Sequence, residues 1–333
     1  MVDKTMPIES RETLIQLRGT NEFNFDNADT YLGDFDAASE WNNDIENARK
    51  SFLHISSYEQ FLDESKLILL GRTGTGKTSI LRCFEHDVKT RAGNLRYDYV
   101  INYDFSEMLS KIVDYENIIS APQVSIKLVE SFEVMINTIV MHTLYNQYGQ
   151  THLEKVKKYL TEQGLIHIRG FSSIVRLFFQ AAEDMKGTFG EYASSVASVY
   201  NFISKATSVS YYEALEELYA ALQNKKFLIL IDTLNEYNFE KAETITIIKA
   251  LISLCFKYYN NRQNGIYTKI ALPSEVYRRL ITKVPGKQQG NTVTIQWTTK
   301  QLFCFIALRL YAWCQRQNAP MFAFWRTFAY DDF

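Results

Sequence analysis

The sequence predicts an α/β fold: a parallel-sheet core sandwiched by helices, with a large helical insertion between the second strand and a later acidic strand. Three observations predict it. Short, fully apolar runs such as KLILL at 66–70 and KKFLILID at 225–232 have the composition of strands buried on both faces. Amphipathic stretches at helical spacing follow them. The stretch between YDYVINYDF at 97–105 and FLILID, about 107–224, is too long for a simple crossover.

Residues 1–35 are polar and rich in Asn and Asp and read as an irregular arm. One or two helices are expected within 36–62, through Ala37 to Leu53 and again near YEQFLDE, so 1–60 forms an N-terminal arm with helices. KLILL is the first strand, and GRTGTGKT with the helical SILRCFEH follows it. YDYVINYDF at 97–105 is the second strand. Within 107–224, one apolar face is marked by Leu128, Phe132, Met135, Ile136, Ile139, Val140 and Leu144. Further faces are marked by Ile174 to Phe179, by Val196 to Ile203, and by Leu215, Leu218, Tyr219 and Leu222. KKFLILID is the strongest strand, followed by a helix at about 241–259. YTKIALP at 267–273 and the weaker NTVTIQW at 291–297 complete the sheet, and a last helix covers 299–316. The expected division is a core of 61–106 and 225–298, a helical insertion subdomain at 107–224, and a C-terminal helix with a short tail at 299–333, a reduced lid.

Composition excludes several classes. Hydrophobic residues make up 46% and charged residues 22%, which sets aside a disordered or collagenous chain. With 36 basic and 38 acidic residues the net charge is −2, so no global field draws the chain to nucleic acid. A local basic patch is left open, the clusters being KVKK at 155–158, Arg278 with Arg279, and Lys283 with Lys287. No apolar run reaches a membrane span, so no membrane association is expected. The start, MVDKTMPIESRETLIQ, has no apolar stretch of the secretory kind. Cys83, Cys255, Cys304 and Cys314 show no C-x-x-C spacing, which suits reduced thiols in the cytoplasm rather than zinc ligands.

Gly71-Arg72-Thr73-Gly74-Thr75-Gly76-Lys77-Thr78, with Ser79 after it, matches the phosphate-loop pattern G-x-x-x-x-G-K-[ST]. Glycines let successive N–H groups turn inward around phosphate oxygens, and the following helix presents its positive end. Lys77 is expected on the β- and γ-phosphates and the Thr78 hydroxyl on Mg²⁺. Such a loop needs a carboxylate at the end of a neighbouring buried strand, and Asp232, closing FLILID, supplies it. Glu236 lies four residues on, where a carboxylate can polarise an attacking water. The predicted ligands are therefore ATP and Mg²⁺, and the predicted core is that of a P-loop NTPase.

IDTLNE at 231–236 resembles the extended acidic motif of STAND-type signal-transduction ATPases, with Asn235 where they carry a second Asp. The overall plan is similar to origin-recognition-type AAA+ ATPases and to bacterial stand-alone P-loop ATPases. The resemblance covers roughly 60–310 and is specific at 66–84 and 226–237. It implies membership of the additional-strand, catalytic-glutamate class of P-loop proteins, ATP hydrolysis with Glu236 as the water activator, and use as a switch or assembly ATPase. It also implies a role in bacterial stress or antiphage defence. By the same resemblance Ser274 would sense the γ-phosphate, Arg278 or Arg279 would act as an arginine finger, and Arg309 would reach the phosphates from a lid. A protein partner or self-association is expected through the helical insertion. The alternative is a DNA-associated AAA+-like loader or remodeller. A GTPase is disfavoured, because NKKF at 224–227 lacks the Asp of a guanine motif.

Overall fold

The structure, a computed structural model, describes residues 37–92, 95–105, 122–167, 207–233, 242–281 and 290–316. Five parallel strands form one sheet: β1 (Ile68–Gly71), β2 (Tyr99–Asp104), β3 (Phe227–Asp232), β4 (Ile266–Pro273) and β5 (Thr292–Thr294). Their order across the sheet is β2-β3-β4-β1-β5. The helices are α1 (Ala37–Asn43), α2 (Ile45–Lys50), α3 (Ser56–Leu62), α4 (Lys77–Lys89), α5 (Pro122–Asn146), α6 (Glu154–Glu162), α7 (Val209–Ala221), α8 (Ala242–Asn260), α9 (Ser274–Ile281) and α10 (Thr299–Arg316).

A sheet covered on both faces explains the apolar runs. Every residue of β3 is buried, and its side chains alternate between two clusters. Phe227, Ile229 and Ile231 join Ile68, Leu70, Ile270 and Leu272 on one face, under α5 and α8. Leu228 and Leu230 join Leu69, Val100 and Ala271 on the other, against Ile80, Leu81 and Phe84 of α4. The predicted face of α5 is buried throughout, and Val156, Tyr159, Leu160 and Leu218 of α6 and α7 lie in the same cluster as the sheet. These helices therefore share the core of the sheet. Full burial of a single Leu or Phe side chain there contributes roughly 1.5–3 kcal/mol.

The N-terminal helices close the α4 face. Their run breaks at Asp44, whose carboxylate accepts from the Asn47 amide at 3.1 Å and so caps α2. Arg49 donates through Nε to Asp87 at 2.9 Å, and the Tyr58 hydroxyl donates to the same carboxylate. They tie α2 and α3 to α4. The helices expected at 174–179 and 196–203, the arm at 1–35 and the tail beyond 316 lie outside the described residues. Among the described residues no helix is long and apolar enough to cross a membrane.

Candidate functional site

The 71–78 loop leaves the C-terminal end of β1 and enters α4 at Lys77. Gly74 and Gly76 adopt φ of +78° and +89°, left-handed values that cost an L-residue about 1–2 kcal/mol. Gly71 is required for space rather than for φ, because a Cβ there would stand 2.3 Å from the Thr75 hydroxyl. That hydroxyl donates to the Arg72 carbonyl at 2.8 Å, where the Thr75 amide also donates at 3.2 Å, so the loop is closed on itself. Gly76 caps α4 without offering a side chain, and the first turn carries no acidic residue. The positive end of the helix is thus presented to whatever occupies the loop.

Lys77 is buried, and its Nζ donates to the carbonyls of Gly71 and Arg72 at 3.2 and 3.0 Å. Burial lowers its pKa from the ordinary lysine value, with Asp232 and Glu275 opposing. Asp232, 4% exposed, ends β3. Its pKa is pushed up to about 6, first by burial and then by the nearby Asp104, while Thr78, Lys77 and Arg82 pull it down. Its Oδ1 atom is buried with no hydrogen-bond partner among the described residues. An orphaned anionic oxygen is expensive to keep in a fold.

Strand β4 separates β1 from β3, with Gly71 beside Pro273 and Ala271 beside Asp232. The Thr233 hydroxyl donates to the Ala271 carbonyl at 2.6 Å and so fixes the chain just beyond the acidic tip. From the far side of the loop, the Trp297 indole donates to the Thr75 carbonyl at 3.0 Å, and its ring packs edge-on against Phe305 of α10. Comparison of the chain with models of known protein families, with curated proteins and with solved structures finds no match. The functional reading therefore stands on the residues of the site.

The structure brings Gly71, Arg72, Thr73, Gly74, Thr75, Gly76, Lys77, Thr78 and Ser79 into one turn, and sets Thr78 and Lys77 close enough to Asp232 to shift its titration. Glu236 and Asn235 lie outside the described residues, as do Lys283 and Lys287. Ser274 opens α9 directly after the strand tip beside Gly71. Arg278 and Arg279 are exposed on α9. Arg309 departs from the expected lid role. Both of its terminal nitrogens bond the Glu40 carboxylate of α1, one of them at 3.0 Å, and its guanidinium lies 5.0 Å over Phe305. A buried guanidinium held bidentately serves the packing of α10 on α1. In the 155–158 cluster, Lys157 and Lys158 lie 3.9 and 3.7 Å from Glu154 and Glu213, so part of that basic charge is neutralised within the fold.

Asp104, Glu275 and Trp297 are the additions that sequence reasoning missed. Strand β2 ends in Asp104 as β3 ends in Asp232, and the Asp one residue before the close of YDYVINYDF is the available signal for it.

Proposed function

We propose that the chain is an ATP-binding and ATP-hydrolysing P-loop ATPase that acts as a nucleotide-dependent switch or assembly ATPase. One observation carries the reading. A loop shaped to receive an anion stands at the same sheet end as the buried carboxylate of Asp232, whose Oδ1 has no hydrogen-bond partner among the described residues and which Thr78 also approaches. The hydroxyl and carboxylate oxygens of Thr78 and Asp232 are hard donors of the kind Mg²⁺ takes. Among the described residues no group of three or more His, Cys, Asp or Glu side chains is placed to hold a metal by itself. Phosphate oxygens and water would therefore complete the shell, as is usual for Mg²⁺ at nucleotide sites. The sheet order supports the reading as well, since β4 between β1 and β3 is the additional strand that the class name implies.

In this reading the amides of 73–78 bind the phosphates and Lys77 exchanges its two loop carbonyls for phosphate oxygens. Burial strengthens that charge interaction, because little water is present to screen it. Thr78 and Asp232 would hold Mg²⁺, which when bound would neutralise charge on the transferring phosphoryl group. Glu236 is assigned the water-activating role by the resemblance of 231–236 to the STAND motif. The protein partner, or a second copy, would dock on the 107–224 region, where Val209 and Tyr212 of α7 are exposed. The defence role and any contact with nucleic acid rest on resemblance alone. Cys83, Cys255 and Cys304 are free thiols, which suits the cytoplasm.

The test is ATP binding by calorimetry with turnover measured alongside. Lys77→Ala is expected to abolish binding, and Glu236→Gln to keep ATP bound while turnover stops. Unchanged ATP affinity in Lys77→Ala would sink the reading.

A further inference from the structure

We propose that Asp104, at the tip of β2, is a second carboxylate of the cation site and holds, through water, a divalent ion carried by Thr78 and Asp232. The inference rests on the reading of the loop as a nucleotide site and adds to it a residue that the motifs do not contain. The first support is register. Asp104 and Asp232 are direct partners across the parallel β2–β3 pair, so their Cα atoms stand about 5 Å apart. The second is facing. Val100 and Leu228 lie in the cluster on the α4 side, and by alternation Asp104 and Asp232, each four residues on, project to that same side, where Thr78 and Arg82 lie.

The third support is charge. Two carboxylates set side by side on one face repel each other. On this face Lys77 donates to the loop carbonyls and Arg82 to Glu85 at 3.4 Å. A divalent cation would relieve that repulsion, and the buried Oδ1 of Asp232, without a hydrogen-bond partner among the described residues, marks where it would be held directly. Asp104 is exposed where Asp232 is buried, which suits a carboxylate that accepts from water around the ion rather than one that touches it.

The experiment uses the full chain, Mn²⁺ in place of Mg²⁺, and a non-hydrolysable ATP analogue, with free Mn²⁺ counted by electron paramagnetic resonance. Asp104→Asn is expected to raise the Mn²⁺ Kd about tenfold, the low end for loss of an outer carboxylate. Analogue affinity in EDTA should stay unchanged, and the melting curve should overlay that of the wild type. Equal Mn²⁺ affinity in variant and wild type would overturn the proposal, as would an equal loss of analogue affinity in EDTA. If the wild-type chain binds no analogue at all, the nucleotide reading fails and this proposal with it. That failure shows in the wild type rather than in the difference between the two chains.

Discussion

Among the described residues two lysines are buried, and both give their ammonium hydrogen bonds to main-chain carbonyls, but in different ways. Lys269, on β4, donates to three separate carbonyls, those of Phe61, Asp63 and Lys66, at 2.6–2.7 Å. It also lies 4.7 Å over the Phe61 ring. Its three protons are matched one to one by acceptors around the C-terminal end of α3, the place where a cation is most favourable on a helix. Lys77 shares longer bonds of 3.0 and 3.2 Å with two carbonyls that belong to the loop it serves. Burial depresses both pKa values, that of Lys269 to about 7. Burial of a lysine is therefore no mark of function by itself. The distinction lies in whether its acceptors are saturated and fixed or loosely held and replaceable.

The sharpest way to break this comparison is to remove each ammonium without changing much volume. Lys269→Met removes the ammonium donor from the Phe61 and Lys66 carbonyls, while the Asp63 carbonyl keeps the Lys66 amide at 3.0 Å, and each unsatisfied buried carbonyl costs about 1–3 kcal/mol. The expected loss in urea unfolding is about 3 kcal/mol or more. Lys77→Met in the nucleotide-free chain should cost about 1 kcal/mol or less, because the Arg72 carbonyl keeps the Thr75 bonds and Arg72 itself is exposed. Equal losses would show that Lys77 is as structural as Lys269.

Asp232 extends the contrast to a carboxylate. Its folded pKa of about 6 lies above the unfolded value near 3.9, so across that window the folded chain keeps a proton the unfolded chain has lost. Its contribution to stability therefore falls as pH rises from about 4 to about 6, and above that the buried charge is a standing cost. Asp232→Asn should accordingly raise the stability of the nucleotide- and metal-free chain at pH 7.5 by about 1–3 kcal/mol and flatten that part of the pH profile. It should weaken Mg²⁺-dependent nucleotide binding at the same time. Loss of stability on that substitution would place Asp232 in the fold rather than in a site.

Much of this was legible from local pattern, and the rest depends on what the sheet brings together. FLILID and KLILL read as buried strands because both of their faces are covered, and a last helix reads at about 299–316, where α10 stands. The loop is contiguous, so its glycines, Lys77 and Thr78 needed no tertiary information. Asp104 needed the register of β2 on β3, which no spacing encodes. Arg309 illustrates the same limit, because its partner Glu40 stands 269 residues away and the lid role expected of it had no local counter-evidence. Lys269 did leave a signal. A charge inside the apolar run YTKIALP demands a buried partner, and that demand could have been read as a socket.

The smallest expected effect tests how the loop is held from outside. A loop that turns its amides inward must turn carbonyls outward, and each of those needs a donor. The Gly76 carbonyl has the Ile80 amide and the Arg72 carbonyl has Thr75 and Lys77, while the Thr75 carbonyl has the Trp297 indole. Trp297→Phe keeps an aromatic ring against Phe305 and removes only that donor. Global stability should fall by about 1 kcal/mol or less. If the indole only fills space, ATP affinity will be unchanged. If it holds the loop in its receiving shape, affinity will drop several-fold with little change in turnover at saturating ATP, because the phosphates would reorder the loop once bound. Indole emission supplies a second readout: the wild-type-minus-variant difference spectrum isolates Trp297 from the chain's other tryptophans, and it should respond to nucleotide only if the Thr75 carbonyl is part of what the nucleotide organises.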